Sequence, residues 1–493
     1  MNYKKTARRN FIKRLVSLCV LSAAGLFRAP VLFARTLADG LDRIKGRIIR
    51  RADTNYELWR ASMVWYIFKP RRYPDTIIQI KSEQDVIEAI NYARSNRLKV
   101  ALRATGHNPA RAVLRNGGVL IDLSPLQKVE IDAGEKTAWI QPGIRSEELI
   151  NLTRKKGLSF PAAHTGMVGL GGYLIGGGLG WNMPEWDIAC RSILAAEIIT
   201  AEGRKVTATP TGNQDLYWAV RGAGPGFFGA VTRYKIRLYP LPRAITKSKY
   251  LLPIKELPAI TEILNEWVNV KQERLEILAV VGRFYPPNAA PEKQELVCAI
   301  SVVAFAGSPQ EARSLLEPVA QSQIPEMSLL KKENIEMTYP QLYAGQSTDF
   351  SSPSRTAVEN IWTDQPAMGL TKLAEKLQHS PPPSPRSFAL SAWGVNPDKQ
   401  DDDSSFTYAA DHYISWYLIA EEAAHIEPNY RWMDQAVAMM HPLARGHYMN
   451  EIDPARYPVH VRACFSKAKW KRLNELRLRY DPDGVFHTYL GHS

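Results

Sequence analysis

Cysteine is scarce in this sequence, and what there is lies scattered. Of the four cysteines in 493 residues, Cys19 sits in a basic N-terminal stretch, and Cys190, Cys298 and Cys464 stand too far apart for a zinc pattern or a disulfide framework. Long hydrophobic runs are lacking too. The most marked one, Leu15–Phe27, is shorter than the roughly 17–25 residues a membrane-spanning helix needs. No internal repeat or long low-complexity tract is present, which excludes a solenoid. Acidic residues are missing altogether from residues 1–38. That last absence decides how the net charge is read. A formal charge of +14 suggests a nucleic-acid binder. Yet Lys4, Lys5, Arg8, Arg9, Lys13, Arg14, Arg28 and Arg35 supply eight of those charges and leave about +6 for the rest. No nucleic-acid partner is expected.

What is present first is an export signal. "KKTARRNFIKRLVSLCVLSAAGLFRAPVLFARTLA" has twin arginines, a short apolar run and then small residues, which together form a twin-arginine signal segment over residues 1–38. Cleavage is expected after Ala38, with Ala34 as a second site and an uncleaved anchor as the alternative. The mature chain is then periplasmic or secreted, with the twin-arginine export machinery as a partner. Because that route carries folded proteins, it suits a chain loaded with a cofactor before export.

The remaining length can bury a large core and sets a soft prior of two to three domains. Over Thr76–Val100, "TIIQIKSEQDVIEAINYARSNRLKV" reads as strand, helix and the start of a strand. Ser82 is the N-cap, and Asp85 completes a capping box. Short strands follow in "GGVLIDLSPLQKVEID" and "KTAWIQPG", then a helix in "RSEELINLTRKKG". "ILAAEIITAEGRKVTA" predicts a hairpin turning at Glu202 and Gly203. Beyond Pro240 the composition changes to helices such as "LPAITEILNEWVNV" and "SPQEARSLLEPVA", a strand "ELVCAISVVAFAG", a proline-rich break "HSPPPSPRS" and an acidic loop "DKQDDDSSF", read as a solvated charge run. "KWKRLNELRLRYDPDGVFHTYLGHS" predicts a basic surface helix closed by an Asp-Pro-Asp-Gly turn.

Two stretches carry chemistry. "LRATGHNPARA", Leu102–Ala112, ends an apolar strand with a glycine and a histidine in a tight turn. "HTGMVGLGGYLIGGGLGWN", His164–Asn182, holds eight glycines, which lets backbone approach a ligand closely. A third stretch has the count Gly-x-Gly-x-x-Gly at Gly224, Gly226 and Gly229. It fails as a dinucleotide fingerprint, because Pro225 interrupts it and a strand rather than a helix follows.

The stretches "LRATGHN", "VGLGGYLIGGGLGW", "DLYWAVRGAGPGFFGAVT" and "RYDPDGVF" together resemble the berberine-bridge-enzyme-like FAD-linked oxidases. These belong to the vanillyl-alcohol oxidase and p-cresol methylhydroxylase superfamily of flavoproteins, and the likeness spans most of residues 70 to 490. The resemblance implies an α+β chain: an FAD-binding domain over 70–240, a substrate domain with a helix-covered antiparallel sheet over 241–445, and a return to the FAD domain over 446–493. It implies that Arg103, Ala104, Thr105, Gly106, His107 and Asn108 hold the FAD pyrophosphate on a loop, with His107 tethered to the flavin 8α-methyl. It places Thr165, Val168, Gly169, Gly171, Gly172, Gly178 and Asn450 around the cofactor, and no metal. Thr165 stands where many relatives carry a second, cysteinyl tether, so one covalent link is expected, with a less open site that does not favour an oligosaccharide.

The family's Tyr-x-Asn-Tyr stretch reads "HYMNEID" here. Tyr448 and Asn450 match, while Glu451 replaces the second tyrosine, and a further Asn-Tyr is replaced by Lys469 and Trp470. The expected catalytic base is Tyr448, ahead of Glu451. The implied reaction is hydride transfer from an alcohol or hemiacetal carbon of a small molecule to flavin N5, with molecular oxygen as acceptor. A dehydrogenase using another acceptor, or an exported flavin- or ligand-binding protein without turnover, is the alternative.

Overall fold

The computed structural model describes residues 40–269, 274–345, 353–393 and 403–491. The signal segment and residues 398–402 of the acidic loop lie outside these. The chain is α+β, with its cofactor half built on two sheets. The first is four-stranded, in the order Arg47–Arg50, Thr76–Gln79, Val119–Asp122, Val100–Arg103. The expected strand, helix and strand are present at Thr76–Gln79, Glu83–Ser95 and Val100–Arg103, but Val119–Asp122 runs parallel between the two strands. The helix joining them buries Val86, Ala89, Ile90 and Ala93, a 3.6-residue stripe. Its start differs from the capping box: the Ser82 side chain makes no cap bond, and the Asp85 carboxylate instead accepts the Lys81 and Lys45 amides at 2.7 and 2.8 Å. The domain also begins earlier than residue 70, because Ile48 in the first strand pairs with Ile78.

The second sheet is antiparallel, in the order Val129–Asp132, Thr137–Ile140, Ala230–Arg237, Ile193–Ile199, Lys205–Ala208. Its last two strands form the expected hairpin, and Gly203 takes a φ of +73° at the turn.

The substrate half is a seven-stranded antiparallel sheet, in the order Leu330–Met337, Ala244–Pro253, Glu295–Ala306, Leu275–Tyr285, Phe388–Trp393, His412–Ile419, Arg355–Thr363. Helices Leu257–Asn269, Pro309–Ala320, Pro366–His379 and Ile426–Met440 supply Leu264, Leu316, Leu373 and Met433 to a core shared with Ile300, Ile414 and Trp416. Fully burying each such side chain is worth about 1.5–3 kcal/mol. Since successive strand residues point to opposite faces, Tyr413, Ser415 and Tyr417 take the face away from these helices.

The C-terminal segment packs on the cofactor half. Its helix Lys467–Tyr480 buries Leu473 and Leu476. The Asp481 carboxylate then takes the Val485 and Phe486 amides at 2.7 and 3.0 Å, and Val100 is bracketed by Val485 O and the His487 amide. Cys190, Cys298 and Cys464 are all buried. Among the described residues no helix is long and apolar enough to cross a membrane.

Candidate active site

The two glycine stretches and the exposed face of the seven-stranded sheet enclose a cavity of about 360 Å³. Its cofactor wall starts where strand Val100–Arg103 ends. Gly106 turns the chain at φ +74°, and a Cβ there would stand 2.1 Å from Met63 O, so only glycine fits. Thr105 Oγ1 accepts the Gly169 amide at 3.0 Å, which joins the two stretches. At Gly171 a Cβ would meet Pro142 Cβ at 2.6 Å, whereas at Gly172 it would meet nothing within 4 Å. Gly171 is therefore packed against protein, and Gly172 opens the cradle.

His107 follows this turn. Its ring stacks on Trp65 at 4.6 Å, and Tyr66 donates its hydroxyl to His107 O at 3.2 Å. Burial, with the positive charge of Arg355 second, lowers the imidazole to about 3, so the ring is neutral. Its Nε2 is buried without a partner, a costly state for a polar atom unless something else meets it.

Ala104, Thr105, Gly106, His107, Asn108, Thr165, Val168, Gly169, Gly171, Gly172, Tyr448, Asn450 and Glu451 all line the cavity. Arg103 and Gly178 do not, and their expected roles change. Arg103 pairs with the buried Asp122 at 2.7 Å and donates to Met63 O and Thr105 O, so it holds the loop from behind. Gly178, at φ +89°, gives its amide to the Tyr448 hydroxyl at 3.1 Å. Lys469 and Trp470 are also off the wall: Lys469 donates to Phe406 O at 2.5 Å, and Trp470 packs on Phe465 and Tyr489. The Gly224 stretch is followed by a strand, as expected, but Gly224, Pro225, Phe227 and Gly229 still form part of the wall.

The "HYMNEID" segment is clamped from strand Arg355–Thr363, where the Asn360 side chain accepts the Tyr448 amide at 2.7 Å and donates to Tyr448 O at 3.1 Å. The Tyr448 hydroxyl then accepts from Gly178 N, Leu179 N at 3.3 Å and Asn450 Nδ2 at 2.9 Å. Burial raises its phenol well above the ordinary value. Asn450 also meets Asn108, which donates to Asn450 O at 3.4 Å.

Glu451 is placed differently. Its Oε2 accepts the hydroxyl of Tyr417 at 2.8 Å and that of Tyr413 in a short contact. Burial, then the charge of Glu451, raises both tyrosines. The Arg355 guanidinium lies 4.7 Å over the Tyr417 ring.

Sequence reasoning missed Tyr66, Arg355, Tyr413, Tyr417, His164 and Glu276, all of which line the cavity. The period of two in "HYISWYLI" put Tyr413 and Tyr417 on one face, but nothing in it identified that face as the cavity.

The glycine-built wall, the open space at Gly172 and the unpartnered His107 nitrogen fit a large planar cofactor held on main chain. The α+β fold around this site is that of the p-cresol methylhydroxylase-type flavoproteins. A family profile described as an FAD binding domain matches residues 74–209. The chain is 26% identical over 421 residues to the FAD-linked oxidoreductase nodO of Hypoxylon pulicicidum, covering 84% of this chain and 90% of that one. It is 35% identical over 253 residues to (R)-6-hydroxynicotine oxidase of Paenarthrobacter nicotinovorans, covering 50% and 53%. Among solved structures it resembles a single-residue variant of berberine bridge enzyme, with a TM-score of 0.76 at 21% identity, covering 92% and 98%. The chain thus carries an FAD binding domain, and the relatives it matches over most of its length are FAD-linked oxidoreductases and berberine-bridge-enzyme-like proteins.

Proposed function

We propose that the protein oxidises an alcohol or hemiacetal carbon of a small molecule, with Glu451 rather than Tyr448 as proton acceptor. The observation that carries this is the contrast between the two groups. The Tyr448 hydroxyl is spent on two main-chain amides and Asn450, and its raised phenol is a poor base at neutral pH. Glu451 lines the cavity as a carboxylate steadied on one oxygen by two tyrosine hydroxyls. That placement suits it to general-base work.

FAD held here would supply the two-electron acceptor for the hydride, with oxygen as the final acceptor. The protein's part is to bind, orient and move a proton. Glu451 takes the hydroxyl proton as the substrate C–H bond breaks. Tyr413 and Tyr417 hold the carboxylate in place, and Arg355 favours negative charge on the substrate oxygen. Main chain from Ala104 to Asn108 and at Gly172 cradles the cofactor, and His107, neutral and with Nε2 unpartnered, is the nucleophile for one covalent tether. Thr165 offers no second one. The relative named an oxidase supports oxygen as acceptor, and peroxide release measured against dye reduction tests it. The twin arginines support export, so Arg8→Lys with Arg9→Lys is expected to hold the precursor in the cytoplasm. Its appearance outside at wild-type level removes that reading.

Anaerobic stopped flow tests the base. Glu451→Gln is expected to slow flavin reduction by about 10²–10⁴-fold with FAD content unchanged, while Tyr448→Phe slows it far less. The reverse order returns the role to Tyr448.

A further inference from the structure

A second acid–base pair stands on the cavity wall, on elements other than those that hold Glu451. Glu276, on strand Leu275–Tyr285, is buried. Its Oε2 accepts the Asn182 amide at 3.0 Å, and its Oε1 lies 2.6 Å from His164 Nε2. The His164 ring is held edge-on to the buried Trp181 at 4.4 Å. With the carboxylate accepting on both oxygens, Nε2 carries the proton, and in a neutral imidazole the other nitrogen is then an acceptor. The His164 side chain keeps 29% of its exposure and lines the cavity with Glu276. Nδ1 is the lone pair this dyad offers to a ligand.

Strand register places the dyad relative to the reacting end. Leu278 is opposite Ala392, and Ala392 is opposite Tyr413. These three residues form a row across three strands, spanning two inter-strand spacings of about 4.8 Å each. Glu276 lies two residues along from Leu278, hence on the same face. The groove therefore has a hydrogen-bond acceptor at each end, Glu451 and His164, with Leu278, Leu390 and Ala392 as an apolar floor between them. A cationic group suits neither end: Arg355 stands 4.7 Å from the Tyr417 ring, and both Glu276 oxygens are already occupied, by His164 Nε2 and the Asn182 amide.

We propose that His164, oriented by Glu276, is a substrate-binding residue that accepts a hydrogen bond from a second hydroxyl, so that the substrate is a diol with an apolar middle. This rests on the reading of Glu451 as the reacting end. A neutral hydrogen bond is worth a factor of about 2–10 in affinity or rate, which sets the scale of the test.

The test uses the FAD-loaded enzyme and three probes: 1,4-benzenedimethanol, 4-methylbenzyl alcohol and 4-(aminomethyl)benzyl alcohol. Binding is followed by the shift of the flavin absorption bands, and turnover by anaerobic flavin reduction. The wild-type enzyme is expected to prefer the diol over the mono-alcohol by about tenfold. His164→Ala and Glu276→Gln are expected to bring that ratio to within about twofold of unity, and His164→Asn, which keeps a side-chain acceptor, to restore part of it. Equal or undetectable binding of diol and mono-alcohol by wild type overturns the proposal, as does a diol preference that survives His164→Ala. Preference for the aminomethyl probe also overturns it, in favour of a cation subsite. If Glu451→Gln slows no probe while the His164-dependent preference persists, the assignment of the base fails and the dyad stands.

Discussion

The cavity has two walls of different make. On the cofactor side glycine makes much of the surface: Gly172 leaves open space where a Cβ would stand, and Gly106 is pressed to 2.1 Å of a carbonyl by the same measure. On the other side the polar side chains come from the sheet and the turn beside it, Tyr413, Tyr417 and Glu276 on strands and Glu451 on the turn Met449–Glu451. A glycine wall tolerates little, since any side chain enters the cavity or strikes a neighbour. A strand face can exchange side chains while its backbone stays paired. On the proposed function, cofactor binding is encoded in the spacing of glycines and substrate choice in alternate residues of strands, so the two could vary separately.

The glycine wall gives the largest effects. Gly172→Val is expected to abolish most FAD loading while the apo-protein keeps its thermal transition. Gly171→Val, which drives a Cβ to 2.6 Å of Pro142, is expected to cost about 1–3 kcal/mol of fold stability. A loaded, active Gly172→Val enzyme breaks the comparison. Next, His107→Ala is expected to bind FAD that leaves in acid precipitation, while wild-type flavin stays with the polypeptide. Wild-type flavin washing out in acid defeats the tether but leaves the cradle.

A smaller effect sharpens the contrast on the substrate side. His447, the first residue of the "HYMNEID" segment, stacks on His460 at 3.9 Å, and burial lowers the two to about 3 and about 4. Unfolded histidine takes its proton near 6.5, so between those values the unfolded chain binds more protons. Their contribution to stability is complete above about pH 6.5 and is lost as pH falls towards 4. Thermal unfolding from pH 7 to pH 4 should show this fall, and it should shrink in His447→Gln; a pH-independent transition excludes it. Tyr448→Phe leaves the Gly178 and Leu179 amides without their acceptor, for an expected loss of about 1–3 kcal/mol in stability, a change in the fold rather than in cofactor loading. An unchanged denaturant midpoint would show that those bonds contribute nothing.

Much of the cofactor half was legible because its signals are local. A glycine turn after an apolar strand, a dense glycine run and a β-hairpin at Glu202 and Gly203 each depend on a few neighbouring residues. Even there, two assignments by resemblance changed: Arg103 and Gly178 belong to the scaffold behind the wall. Local pattern cannot say whether a side chain turns towards a ligand or towards Asp122. The substrate face was hardly legible. Tyr413 and Tyr417 meet Glu451 across 38 and 34 residues, and His164 meets Glu276 across 112.

By itself, then, the sequence determined the twin-arginine motif, the α+β class, the glycine cradle and His107 at its tip, because turn chemistry and hydrophobic period act over a few residues. Which of the two candidate bases is free to face a substrate was decided only by tertiary structure. Tyr448 and Glu451 are three residues apart on one segment, yet one hydroxyl is consumed by the amides of Gly178 and Leu179 and the other group is held by two tyrosines of the sheet. That difference comes from partners brought in by strand pairing and by the clamp at Asn360, and no local pattern carries it.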